Sequence, residues 1–349
     1  MGMPKQRNSS FELMRVIAQY MIVFYHILLV FFYNECENSE VAFKVMWIPL
    51  HVAVPCYVLI SGYFGIRFNL KSLFRIIAIL LVYGLGLYLS NYLFFDGRLE
   101  MRKVLFFVSN TSKWFIRIYL YLFLLAPPIN KAIRGLTPTN RFVILGFMAW
   151  ISCWGGFMNF ESSLSEGKNL VHFIFLYLLG NTLAEYREKL NRIATWKVVL
   201  LWLTVNFLSI IGGYYALSKT SPNIELFNLF FSYNSMILVF NAVLFFMLFM
   251  RWHFQSRFVN YVATSSLSIY MLHMFLLRHF GANVISMIQG KIVGITMQTL
   301  AVAGLTLVVL LASIIIDKLL SPCWMLSARV ADRLNNTRIG QLITQYNAI

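Results

Sequence analysis

Two side chains able to do chemistry sit in the first apolar stretch, residues 11–33: Arg15 and His26. They are eleven residues apart. In a helix that separation is ~1100°, three turns plus ~20°, so both point the same way, ~16 Å apart along the axis. An arginine at the centre of a membrane helix costs ~2.5–3.5 kcal/mol on insertion scales. A stripe of this kind therefore calls for a use. A guanidinium can bind phosphate, and an imidazole titrates near neutrality and can move a proton. Glu12 lies three residues before Arg15, within reach of it across one turn. A blander account stays open at this point: Arg15 snorkels to headgroups and His26 bonds a neighbouring helix.

Further polar groups fall in other apolar stretches. The second stretch ends Ser61-Gly62-Tyr63-Phe64, where small residues allow close backbone approach. That could leave a gap beside the first helix for a thin ligand, or could be ordinary packing. Trp114 opens the fourth stretch, with Arg117 one turn inside it. Trp114 also suits an interfacial belt. The ninth holds Ser268-Ile269-Tyr270-Met271-Leu272-His273, a second imidazole at membrane depth. His51, His172, His253 and His279 fall near span ends or in loops, and no role is assigned to them.

These residues need long apolar helices to hold them. The chain of 349 residues is 59% hydrophobic and only 12% charged, and its mean hydropathy is +0.70. A soluble domain is near a quarter charged, so the class is a polytopic membrane protein. Ten apolar segments appear, at 11–33, 45–66, 73–95, 114–133, 141–158, 169–186, 196–217, 229–250, 264–287 and 293–317. Each can cross a ~30 Å hydrocarbon layer as a helix. His273, Arg278 and His279 predict a bend or interruption in the ninth. The fold expected is an all-α bundle of about ten membrane helices spanning residues 1–317, followed by a basic tail at 318–349. The opening run resembles a signal peptide but is too long and lacks a small-x-small cleavage site, so it is read as a retained span.

An even number of spans puts both termini on one side, and loop charge predicts that side to be cytoplasmic. Of 29 Lys and Arg residues, 18 fall in the segments so assigned, 8 in outer segments and 3 within spans. The basic loop 96–113 is the exception. It reads as a short amphipathic surface helix, bound either to headgroups or to an anionic acceptor. The formal charge of +16 is explained by the inner loops, and no basic run or basic-aromatic groove points to nucleic acid. Cys36, Cys56, Cys153 and Cys323 show no metal-ligand spacing and no disulfide framework is expected, so no metal is assigned.

H-E-x-x-H, G-x-S-x-G and P-loop motifs are absent. Carboxylates are nearly absent from span interiors, which weighs against a proton-coupled carrier. A transporter or flippase of an amphipathic substrate, and a scaffolding subunit, remain competing classes.

Taken together, several short motifs resemble the acyltransferase-3 family of integral membrane acyltransferases, which includes bacterial O-acetyltransferases of surface polysaccharides. They are Glu12-x-x-Arg15 with His26; Ser61-Gly62-Tyr63-Phe64; Trp114-Phe115 with Tyr119, Leu122 and Pro127-Pro128-Ile129-Asn130; Tyr177-Leu-Leu-Gly180; and Ser268 to His273. They keep family order from residue 11 to about 280. The resemblance implies a multi-pass protein of the bacterial inner membrane. It would move an acyl group, usually acetyl, from cytosolic acetyl-CoA to a hydroxyl of an outward-facing glycan or lipid-linked sugar. It implies His26 as catalytic base, Arg15 as a ligand of the coenzyme A phosphates supported by Glu12, and Ser61 and Tyr63 beside the donor. Trp114, Arg117, Tyr270 and His273 would line the substrate path. The charge at Arg117 departs from the family, which is commonly apolar or small there.

Overall fold

The computed structural model describes residues 8–32, 39–94, 98, 100, 101, 114–156, 162–218, 222–291 and 294–348. Cys36, Lys5, Arg7 and most of the 96–113 loop lie outside these residues. Among the described residues there is no strand, and Cys56, Cys153 and Cys323 are unpaired thiols.

The chain begins with α1 (Ser9–Phe32), α2 (Ser39–Leu50), α3 (Ala53–Phe64), α4 (Leu70–Ile79) and α5 (Gly86–Phe94). Next come α6 (Trp114–Arg134), α7 (Pro138–Ala149), α8 (Leu170–Glu185), the short α9 (Arg187–Asn191) and α10 (Thr195–Leu217). After them run α11 (Ile224–Phe231), α12 (Met236–Met250), α13 (Arg257–Ala263), α14 (Ser266–Leu276), α15 (Ala282–Lys291) and α16 (Ile295–Leu319). Two further helices close the chain, α17 (Ser321–Asn335) and α18 (Arg338–Ala348).

Where described, each of the ten expected segments is mainly helical, the second and eighth broken by turns at 51–52 and 232–235, and among the described residues eight stretches are long and apolar enough to cross a membrane. The two outside that number are α7 with its π extension and α8. At 16 residues, α8 is ~24 Å long, short for a hydrocarbon layer of ~30 Å. It is instead buried inside the bundle: His172, Phe173, Leu176, Tyr177 and Gly180 are all shielded.

A seam of close backbone contact explains why. A Cβ on Gly62 of α3 would fall 2.0 Å from the Tyr177 carbonyl oxygen, and one on Gly180 of α8 would fall 2.3 Å from that of Leu59. Only hydrogen fits at either place, so the two helices interlock reciprocally. The close approach that Gly62 permits is thus made to α8, not to α1. Tyr177 also crosses the seam, donating to Asn130 Oδ1 at 2.7 Å and accepting from Ile66 N–H at 2.8 Å.

α1 is the central post. It packs against α2, α3, α12, α13, α14 and α16. Its first turn is tied down by Ser9 N–H to Phe254 O at 2.9 Å and by Ser10 Oγ to Phe249 O at 2.9 Å. Side-chain caps start several other helices: Asn69 accepts from Ser72 N–H, Asn169 from His172 N–H and Ser256 from Val259 N–H.

Three π turns interrupt the helices among the described residues, at Leu80–Leu85, Trp150–Gly155 and Leu277–Gly281. The last lies in the ninth span, where charged residues led us to expect an interruption. The basic loops assigned to one side also gather at the Ser9 end of α1. There Arg251 donates to Leu190 O and Ile193 O, and Arg75 to Thr264 O. The tail joins them: Lys71 pairs with Asp332 at 3.3 Å, Tyr346 donates to Leu124 O and Asn347 to Phe68 O. Within the tail, Ser321–Asn335 and Arg338–Ala348 thus form two helices seated on the bundle.

Candidate active site

A cavity of about 480 Å³ lies toward the Phe32 end of α1. Its wall combines His26 with His51, Trp114, Tyr270, His273 and Arg278, together with Tyr25, Phe231 and Tyr233. Each imidazole is aimed by its own helix. His26 Nδ1 lies 2.8 Å from Ile22 O, and His273 Nδ1 lies 3.1 Å from Ile269 O. A carbonyl only accepts, so Nδ1 is the donor in both rings, and in the neutral ring the lone pair then sits on Nε2. The two rings approach to 4.8 Å between centroids. The histidines come from α1 and α14, distant in sequence and adjacent in the bundle.

Aromatic rings build the walls. Trp114 lies 5.4 Å from Tyr233, Phe115 lies 5.7 Å from Tyr270, and His51 meets Phe231 edge to face at 3.7 Å. At the rim, Glu166 and Gly167 take positive φ, 57° and 70°. For a non-glycine residue that conformation is uncommon. Here it turns the Glu166 carboxylate and the Lys168 ammonium toward each other and the cavity, where they form an ion pair. Lys168 Nζ stands 6.0 Å from the Trp114 ring centre.

Four of the residues singled out from sequence therefore share one chamber: His26, Trp114, Tyr270 and His273. Arg117 does not line it. Arg15 sits at the other end of the α1 stripe and donates to both oxygens of Glu12, at 2.8 and 2.9 Å. Ser61 Oγ donates to Tyr57 O at 2.9 Å and lies 3.2 Å from Tyr119 Oη. Tyr63 packs against Phe11, Phe64 and Phe246. Neither Ser61 nor Tyr63 touches the chamber.

Sequence reasoning passed over His51, Tyr25, Tyr233, Glu166, Lys168 and Gln19. The rim residues gave no signal, since their loops meet only in the folded bundle. Gln19 did give one. It lies on the α1 stripe one turn beyond Arg15, and it is almost fully buried. Tyr57 Oη is 2.7 Å from Arg15 O and 3.1 Å from one end of the Gln19 amide, and the other end has no partner among the described residues. Among the described residues no group of His, Cys, Asp or Glu could hold a metal.

A second cavity of about 660 Å³ opens at the Ser9 end. Arg67, Arg134 and Asn130 line it with the tail residue Asn347.

Long apolar helices around a chamber with paired imidazoles define a multi-pass membrane protein with an enzyme-like site. A family model described as an acyltransferase domain matches residues 8–318, all of the bundle and none of α17 or α18. The chain belongs to this acyltransferase-3 family and is a membrane acyltransferase. Searches of curated proteins and of solved structures found no match.

Proposed function

We propose that the protein moves an acetyl group from cytosolic acetyl-CoA to a hydroxyl of a glycan or lipid-linked sugar on the outer face of a bacterial inner membrane. The observation that carries this reading is the pair of imidazoles facing one chamber at the far end of the helix that bears Arg15. The Ser9 end faces the cytosol on this reading, as the loop charges favour. Arg15, with Arg67 and Arg134 of the second cavity at that end, supplies cations for the donor's phosphates.

The donor's arm then runs along α1 toward His26. Gln19 stands about two turns short of His26, ~10 Å along the axis. The outer amide of a pantetheine arm lies eight bonds from the thioester sulfur, a similar reach by the ~3.3–3.6 Å that three extended backbone bonds cover. An amide offers both a donor and an acceptor, so it satisfies the spare end of Gln19 whichever way that side chain is turned.

At the thioester, the acceptor hydroxyl oxygen attacks the carbonyl carbon and His26 Nε2 takes the hydroxyl proton. The C–S bond breaks, and the imidazolium returns the proton to the departing thiolate. On this reading His273 supports the imidazolium, and Tyr270, which lines the same wall, supports the oxyanion. A route through an acetyl group on His26 Nε2 uses the same atoms in two steps.

The test is acetyl transfer by the purified full chain in vesicles. With labelled acetyl-CoA supplied to the Ser9 side, surface glycan should gain label, and glycan mass spectra should gain one acetyl group per modified sugar. Glycans of unchanged mass in cells with and without the protein would remove the acceptor assignment.

A further inference from the structure

Arg278 is the feature of the chamber that the acyl-transfer chemistry leaves unused. It follows His273 by five residues. On a regular α-helix five residues are ~500°, which would place the two side chains ~140° apart. Both nonetheless line the same cavity. Between them Leu277 N–H still bonds to His273 O in the α pattern, and the helix widens into a π turn only over Leu277–Gly281, with Arg278 near its start.

The charges around it are unequal. Lys168, the other cation of the wall, is neutralised by Glu166. No carboxylate pairs with Arg278 among the described residues. Setting the imidazoles aside, the lining carries two cations and one anion. Counted over the described residues, the lining is short of one negative charge, and the exposed Arg278 guanidinium is suited to bidentate pairing with an oxyanion.

We infer that Arg278 is an anion-recognition site, taking a carboxylate or phosphate group of the molecule that enters the chamber from the Phe32 end. It rests on that chamber being where the acceptor arrives. The acceptor class it selects is an acidic or phosphate-bearing sugar rather than a neutral one. A phospholipid headgroup presents the same chemistry, and the test separates the two.

The full chain is purified in dodecyl maltoside, which carries no phosphate. Methyl β-D-glucuronide and the neutral methyl β-D-glucoside are titrated separately, read by intrinsic fluorescence, with Trp114 in the chamber wall as reporter. Native mass spectrometry measures retained phosphatidylglycerol in parallel. Wild type should bind the glucuronide at least tenfold more tightly than the glucoside. Arg278→Gln should abolish that preference, and Arg278→Lys, which keeps the charge but not the fork, should retain part of it. Arg278-dependent retention of phosphatidylglycerol without a sugar preference would uphold the anion site and give its occupant as a lipid. If neither probe depends on Arg278 while both variants melt as wild type does, the inference is wrong. Since both readouts are binding, they stand apart from acetyl transfer, which depends on His26. Loss of transfer in His26→Ala with the glucuronide preference intact would leave this site standing.

Discussion

At the Ser9 end of α1, Arg15 donates twice to Glu12, its neighbour one turn back, at 2.8 and 2.9 Å. About three turns on, His26 spends Nδ1 on Ile22 O and turns its other nitrogen away from its own helix. The two sites share a helix face but differ in how their polarity is met. Arg15 keeps 32% of its side chain exposed, and an intrahelical pair of this kind contributes only ~0.2–0.5 kcal/mol. Its partner is local and replaceable, so a phosphate can compete for the guanidinium. His26 is instead held among rings from α6, α11 and α14 and from His51 just after α2, in a chamber that no single helix defines. One end is a loosely held charge suited to capture. The other is a fixed ring suited to proton transfer, where small errors of position cost rate.

The sharpest way to break this contrast is His26→Ala. A positioned general base contributes ~10²–10⁴ in rate, so transfer from labelled acetyl-CoA should fall by that order while the protein still inserts and purifies. Activity within threefold of wild type would mean that the chamber does not house the base. His273→Ala should give a smaller loss, because its ring supports the imidazolium rather than taking the proton.

Arg15→Ala should act on capture. Charge-assisted hydrogen bonds are worth ~1.5–3 kcal/mol, so KM for acetyl-CoA should rise tenfold or more with kcat little changed. Glu12→Gln, which removes the competing carboxylate, should leave KM equal or lower. A fall in kcat with constant KM in Arg15→Ala would show the two ends to be less separate than their bonding suggests.

The smallest effect is expected at Lys71, whose pair with Asp332 leaves both side chains 60% exposed. Exposed pairs are worth ~0–1 kcal/mol. Lys71→Ala should therefore change melting and transfer little, even though it touches the contact between α4 and α17. A large drop in donor affinity would tie the tail to the donor-side cavity that Asn347 lines.

Much of the helix plan was readable along the chain. Apolar runs long enough to span a membrane have few other uses, and each of the ten expected segments is mainly helical where described, two of them broken by a turn. The exception in kind is α8. Its apolar run looks like a span, but Gly62 and Gly180 draw it against α3, and its short length is absorbed inside the bundle. That seam joins residues more than a hundred positions apart, which periodicity does not register. The stripe of Arg15 and His26 was legible for the opposite reason: helical spacing is local, and eleven residues suffice to align two side chains. Gln19 on the same stripe could have been read the same way.

What the sequence by itself determined is therefore what one helix decides alone. That comprises the apolar lengths, the α1 stripe with Glu12 beside Arg15, and the placing of His273 at membrane depth. Only the tertiary structure brought His26 and His273 to 4.8 Å, seated His51 beside them, and turned the Glu166 rim inward. It alone put Arg278 on the wall of the same chamber. The physical reason is that a chamber is a property of several helix ends at once. Its members are set by helix crossing and close approach, neither of which leaves a mark on the spacing within a single segment.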